Sequence, residues 1–225
     1  MSITLNNTRS YASRGLNLLV YGGPGAGKTT AIKTAPDPIV LSAEGGLLSI
    51  SDADIPYIEV TDLSVLSEAY KWLVSSDEAK PFQTVCLDSI SEIAEVILAK
   101  EKKDSKDPRQ AYGAMQDQMA DLIRAFRDLP GKNVYVSAKM EKSPDENGRL
   151  LYQPMMPGTK LGQALPYFFD EVLALRVEPD GEGNPQRALL CDPDGSWTAK
   201  DRSGRLDRWE KPDLTHVINK IGGGK

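Results

Sequence analysis

The run Leu16-Asn17-Leu18-Leu19-Val20-Tyr21 is apolar at all but one position, ends in glycines, and is followed by Lys28-Thr29-Thr30-Ala31-Ile32-Lys33. A continuous apolar run closed by turn residues predicts a buried strand, and the segment beyond the turn predicts a helix. Pro36 and Pro38 then stop that helix, since proline lacks the N–H that the next turn needs. Short buried strands are expected again at Ile39-Val40-Leu41, closed by Ser42-Ala43-Glu44-Gly45-Gly46, and at Tyr57-Ile58-Glu59-Val60. From Asp62, a residue type that caps helix starts, the positions Leu66, Ala69, Tyr70 and Leu73 recur at helical spacing.

Thr84-Val85-Cys86-Leu87 predicts a fourth buried strand, and Ser89 with Glu92, in capping-box register, opens a helix carried by Ile93, Ile97 and Leu98. Residues 100–109 have no apolar period and predict a loop. Met115, Met119, Leu122, Ile123, Phe126 and Leu129 trace one helical face that Pro130-Gly131 ends. A further strand is expected at 133–138, whereas 140–166 carries Pro144, Pro154, Pro157 and Pro166 and resists a long element. Residues 173–177 and 187–191 read as paired strands around the turn-rich 179–185, and 221–225 as a frayed tail. Strands alternating with helices at this spacing predict an α/β fold, a doubly wound, mostly parallel sheet with a C-terminal antiparallel hairpin. In such folds the ligand site lies at the carboxyl ends of the strands.

The 225 residues are long enough for one sizeable core, and a single domain over 1–225, with a polar segment at 1–15, is the simplest reading of that length. A composition 40% hydrophobic and 26% charged excludes a disordered chain. No segment approaches the roughly 18 uninterrupted apolar residues of a membrane span, and the opening stretch is polar, so a cytoplasmic chain without a membrane partner is expected. Cys86 and Cys191 each sit in an apolar run and read as buried thiols. One histidine, His216, is too few for a histidine metal centre or a Ser-His-Asp relay. A net charge of −5 gives no global pull on nucleic acid, so any such contact requires a local basic patch or an assembly.

The strongest chemical signal is Gly22-Gly23-Pro24-Gly25-Ala26-Gly27-Lys28-Thr29, followed by Thr30, between the predicted strand and the predicted helix. Glycines let successive backbone N–H groups curl around phosphate oxygens, the helix start adds its positive dipole end, Lys28 reaches the β- and γ-phosphates, and Thr29 can ligate magnesium. At average composition the pattern arises by chance in on the order of one in a hundred chains of this length, and here its strand-loop-helix context is also present. ATP and Mg2+ are the cofactors this implies. Asp88 ends the strand at 84–87, where a carboxylate can hold the water shell of magnesium; the other reading is a cap for the next helix. Ser89 has the same two readings. Glu44, just past the strand at 39–41, either orients the water that attacks the γ-phosphate or is a surface residue of a Gly-rich turn.

In order along the chain, the loop 22–29, Ser42-Ala43-Glu44, Leu87-Asp88-Ser89 and Val134-Tyr135-Val136-Ser137-Ala138-Lys139 resemble the RecA-type ATPase core. The chain looks like the small phage-encoded RecA-like proteins with an AAA domain that are associated with single-strand annealing and recombination, over about 16–206. The resemblance implies that Glu44 is the catalytic glutamate and that Lys139 stands at a sensing position where related proteins carry Gln or His. It also implies that the loops 100–110 and 140–162 hold single-stranded DNA. The first offers Lys102, Lys103, Lys106 and Arg109, with Lys100 before them, but interleaves Glu101, Asp104 and Asp107, so a solvated loop is the other reading. The second offers Lys142, Arg149 and Lys160, with Tyr152 for stacking. Lys200-Asp201-Arg202 resembles the Lys-x-Arg pair that some RecA-like ATPases insert into a neighbouring subunit's site; alternate positions of an extended segment point the same way.

The expected function is therefore Mg-dependent ATP hydrolysis coupled to single-stranded DNA binding in a homo-oligomer, a filament or ring, with a single-strand DNA-binding protein as a further partner and the host cytosol as its place if phage-encoded. The rivals are a nucleotide-gated adaptor that loads a partner, and a small-molecule P-loop kinase, for whose Arg-rich lid only Arg109 is available.

Overall fold

The computed structural model describes residues 14–222 together with Leu5 and Asn7; the rest of the polar segment expected at 1–15, and 223–225 of the expected tail, lie outside the described residues. Its strands are β1 (Asn17–Gly22), β2 (Pro38–Ser42), β3 (Tyr57–Glu59), β4 (Thr84–Asp88), β5 (Asn133–Pro144), β6 (Leu150–Pro154), β7 (Glu171–Pro179), β8 (Pro185–Leu190), β9 (Lys200–Asp201) and β10 (Trp209–Glu210). Its α-helices are α1 (Lys28–Ala31), α2 (Leu63–Ser75), α3 (Ile90–Asp104), α4 (Pro108–Arg127), α5 (Thr159–Phe168) and α6 (Leu214–Gly222). They form one sheet in the order β10-β8-β7-β1-β5-β4-β2-β3, with β6 on β5 and β9 on β7. From β7 to β3 all neighbours are parallel, and β8, β10, β6 and β9 join antiparallel.

Both faces of β1, β2 and β4 are covered, which is why they read as unbroken apolar runs, whereas the edge strand β3 leaves Tyr57 and Glu59 exposed. Leu19, Tyr21, Leu41, Val85, Leu87 and Val136 pack on one side against α2, α3, α4 and α5. Their neighbours Leu18, Val20, Val40, Cys86 and Tyr135 pack on the other against Ala31, Ile32 and the α6 residues Leu214 and Val217. The alternation is the period-2 direction change of strand side chains, and it makes the sheet doubly wound. Cys86 and Cys191 are buried and free of disulfide. Among the described residues no helix is long and apolar enough to cross a membrane.

Three segments differ from the expectation. The span 100–109 is helix except for the connection 105–107: α3 runs on to Asp104, and α4 starts at Pro108 with the Asp107 side chain accepting from Arg109 N at 2.9 Å. Asp before a first-turn proline is a helix start in its own right, and charged residues extend α3 as a solvated last turn although no apolar period marks them. The proline-bearing 140–166 contains the β5–β6 hairpin and α5, because Pro144 and Pro154 fall at strand ends and Pro166 near a helix end. The expected tail begins with Ile221 buried at 7% inside α6.

Candidate functional site

The carboxyl ends of β1, β2, β4 and β5 lie side by side, with Gly22 opposite Lys139 and Ser42 opposite Asp88 in the ladder. Everything that follows each strand is thereby delivered to one edge of the sheet. From β1 comes the loop 22–27 into α1. Gly25 and Gly27 have φ of +73° and +108°, the left-handed region that side chains disfavour. Such turns line up backbone N–H groups as an anion-binding concavity. The Lys28 Nζ lies on Gly22 O at 2.9 Å and Gly23 O at 3.1 Å. Tyr135, fully buried on β5, donates its hydroxyl to Lys28 O at 2.8 Å and so ties α1 to the sheet.

From β4 comes Asp88, 1% exposed. Thr29 Oγ1 donates to its Oδ2 at 2.9 Å, and Ser137 Oγ donates to its Oδ1. Burial pushes the Asp88 carboxyl above the usual carboxylate range; the Ser137 and Thr29 hydrogen bonds and the Lys28 charge work against that rise, and the Glu44 charge adds to it. Burial also pulls the Lys28 ammonium down, with Glu44 and Asp88 opposing and Lys139 reinforcing it. A buried carboxylate, a hydroxyl and an ammonium thus come together beside the glycine loop.

From β2 comes Glu44, with 30% of its side chain exposed. Ser89 Oγ donates to Glu44 Oε1, and Lys139 Nζ lies 4.0 Å from the same oxygen. Ser89 Oγ also accepts from Glu92 N at 3.4 Å, so this residue caps α3 and holds Glu44 at once. The other half of the expected capping box does not form, because the Glu92 carboxylate pairs with Lys139, whose ammonium it holds above the usual range.

The remaining predicted residues lie elsewhere. Pro24, in the loop, and Thr30, in α1, are exposed. Lys102 and Lys103 stand in the last turn of α3, Lys106 in the connection, and Arg109 in the first turn of α4, all exposed, with Lys102 over the Tyr112 ring. Lys142 lies over Tyr152 in the β5–β6 hairpin, Arg149 donates to Gly195 O at 3.0 Å, and Lys160 is exposed at the start of α5. Lys200 and Arg202 do not form the pair of free, co-directed cations that their alternation predicts. The Lys200 ammonium donates to Pro166 O at 2.6 Å and to Phe169 O at the carboxyl end of α5, where unpaired carbonyls attract a cation. Arg202 pairs with Asp170 at 2.7 Å. Both are held at the start of β7, whereas the glycine loop follows the end of its parallel neighbour β1.

Three site residues have no local signal in the sequence: Tyr135, Ser137 and Arg187. All three sit in segments that read as strands, Tyr135 and Ser137 at 133–138 and Arg187 at 187–191, but nothing local marks them as site residues. Arg187, on β8, donates its Nε to Ala26 O at 3.0 Å, a contact between residues 161 apart.

No curated protein matches the chain by sequence. Among solved structures it is similar to a prototypical ATPase from the type III secretion system of pathogenic bacteria, with a TM-score of 0.50 and 14% identity over 72% of this chain and 52% of that one. The chain thus spans about half the length of that protein, and the likeness at this identity is one of fold. The AAA domain family matches residues 14–203, a span running from before β1 to beyond β9 and enclosing every residue of the site at the sheet edge. The chain belongs to the AAA domain family, with the fold of a P-loop ATPase.

Proposed function

We propose that this protein binds and hydrolyses Mg-ATP at the loop 22–29 and couples turnover to single-stranded DNA as a homo-oligomer. The observation that carries the hydrolytic part is the convergence of Lys28, Thr29, Asp88 and Glu44, delivered by three parallel strands to one edge. The loop N–H groups and Lys28 bind the phosphates; charged phosphate oxygens are better partners for the ammonium than the carbonyls of Gly22 and Gly23 that hold it now. Thr29 and Asp88, hard oxygen donors in mutual contact, suit magnesium, which takes few protein ligands and keeps several waters. Bound there, the ion supplies charge neutralisation at the phosphates. Ser137, by hydrogen bonding the Asp88 carboxylate, favours its ionised form against the burial that pushes its pKa up. Glu44, half-exposed and steadied by Ser89, orients the attacking water and takes its proton. Lys200 and Arg202 are bound within their own chain and take no part in this reading.

The DNA part rests on the exposed cations of the α3–α4 corner and the β5–β6 hairpin, and on the continuity of β5. That strand carries Ser137 against Asp88, Lys139 beside Glu44, and Lys142 over the hairpin aromatic Tyr152. A shift at the phosphates has a stiff route to the hairpin. The test is ATP turnover across protein concentrations with and without single-stranded DNA, with Lys28→Ala as control. Turnover that rises with concentration and with DNA, and is lost in Lys28→Ala, is expected. Wild-type turnover in Lys28→Ala overturns the hydrolytic reading. DNA-independent turnover overturns the coupling and favours an adaptor, and phosphate transfer to a small acceptor favours a kinase.

A further inference from the structure

The β7–β8 hairpin closes over the outer side of the glycine loop. An added Cβ at Gly22 meets Leu175 O of β7 at 2.6 Å, and one at Gly27 meets Arg187 Cδ and Nε of β8, both at 3.3 Å. Arg187 lies opposite Val177 in the β7–β8 ladder, two residues before the buried Leu189, so its side chain continues that strand face past the core and arrives at the loop. There its guanidinium donates Nε to Ala26 O at 3.0 Å and Nη2 to Gly25 O at 3.5 Å. Among the described residues no carboxylate lies within ion-pair distance of Arg187, whereas Arg124, Arg127, Arg176 and Arg202 all have one. This cation is spent on loop carbonyls.

We propose that Arg187 is a positioning residue for the phosphate-binding loop. In a planar trans peptide the C=O and the N–H point in opposite directions. Fixing the carbonyl of Ala26 on the guanidinium therefore turns the Gly27 N–H away from Arg187, toward the side a phosphate approaches; the next N–H back, that of Ala26, is held within the loop on Gly23 O at 3.2 Å. The planar fork suits two successive carbonyls, which a single ammonium cannot match. Gly27 admits this arrangement twice over: its φ of +108° turns the chain, and the missing Cβ leaves room for the Arg187 stem. A loop held in its binding conformation before ligand arrives avoids the ordering cost at the moment of binding. The inference rests on the reading that this loop holds nucleotide phosphates.

The experiment compares full-length wild type, Arg187→Gln, Arg187→Lys and Lys28→Ala for binding of Mg-ADP and for unfolding without nucleotide. Arg187→Gln is expected to weaken Mg-ADP about five- to tenfold, the loss of one exposed charge-assisted hydrogen bond and part of a second. Its unfolding midpoint without nucleotide stays at the wild-type value, and KM for ATP rises with little change in kcat. Arg187→Lys, which keeps the charge but not the fork, falls between the two. Unchanged affinity in Arg187→Gln overturns the proposal, as does a lowered midpoint with unchanged affinity. Full recovery in Arg187→Lys also overturns it, because charge alone then accounts for the effect. If wild type itself fails to bind Mg-ADP, it is the nucleotide reading that falls.

Discussion

Replacing Gly22 by alanine separates packing from phosphate chemistry in the glycine loop. Its φ is not in the left-handed region, so the backbone there does not demand glycine. The neighbours do: an added Cβ would sit 2.6 Å from Leu175 O and 3.3 Å from Ala26 Cβ, and ordinary contact begins at 3.4 Å. The first contact is with backbone, the Leu175 carbonyl of β7 beside β1, and residues Leu19 to Tyr21 and Leu173 to Leu175 of these strands are at most 1% exposed. Relief requires the two central strands to part by about 0.8 Å, the difference between 3.4 and 2.6 Å, in a core packed like a crystal. Overpacking of this kind costs about 2 kcal/mol, which for a chain of this size lowers Tm by roughly 4–8 °C. Gly25→Ala is the control, since φ is +73° and nothing lies within 4 Å of the added atom. It pays only the left-handed conformation, about 1 kcal/mol. Thermal unfolding without nucleotide, followed by far-UV circular dichroism, reads both. If the Gly22→Ala protein melts with wild type, or no lower than Gly25→Ala, the steric account of this motif glycine is wrong.

Three further outcomes follow from the site and its surroundings. Glu44→Gln keeps the hydrogen-bonding shape beside Ser89 but not the base, so nucleotide affinity should persist while kcat falls about a hundredfold or more; unaltered turnover makes Glu44 a turn residue. Ser137→Ala removes a hydrogen bond that lowers the Asp88 pKa, so the acid limb of the turnover profile should move to higher pH, and an unmoved limb argues against Asp88 as the titrating group. Glu171, on β7 beside Asp201, is pushed up to about 8 by burial first and the Asp201 carboxylate second, from an ordinary 4.5. The folded state then binds the extra proton, so stability is full below the ordinary value and declines as pH rises through about 8. Glu171→Gln should flatten that decline in denaturant titrations between pH 5 and 9, and an equal slope in both proteins refutes it.

What the sequence determined by itself is local. The apolar runs at 18–21, 39–41 and 84–87 are strands because every second residue meets one covered face and the rest meet the other. Asp62 and Ser89 cap the helices they precede, and glycines stand where φ must be positive, as at Gly25 and Gly27. Lys28 and Thr29 were legible from the glycine motif that closes the first run, Asp88 because it follows directly on the run at 84–87, and Glu44 because it stands just past the run at 39–41. Charge without an apolar period hid the end of α3, since a solvated helical turn and a solvated loop have the same composition. Only the tertiary structure decided the order β7-β1-β5-β4-β2-β3, because the central strands, buried on both faces, are equally apolar and nothing within any one of them names its neighbour. That order is what sets Tyr135 on the Lys28 carbonyl across 107 residues, Ser137 on Asp88 across 49, and Arg187 on Ala26 across 161. It also binds Lys200 and Arg202, whose alternation is real, to the carbonyls of α5 and to Asp170, where no reading of spacing along the chain could have seated them.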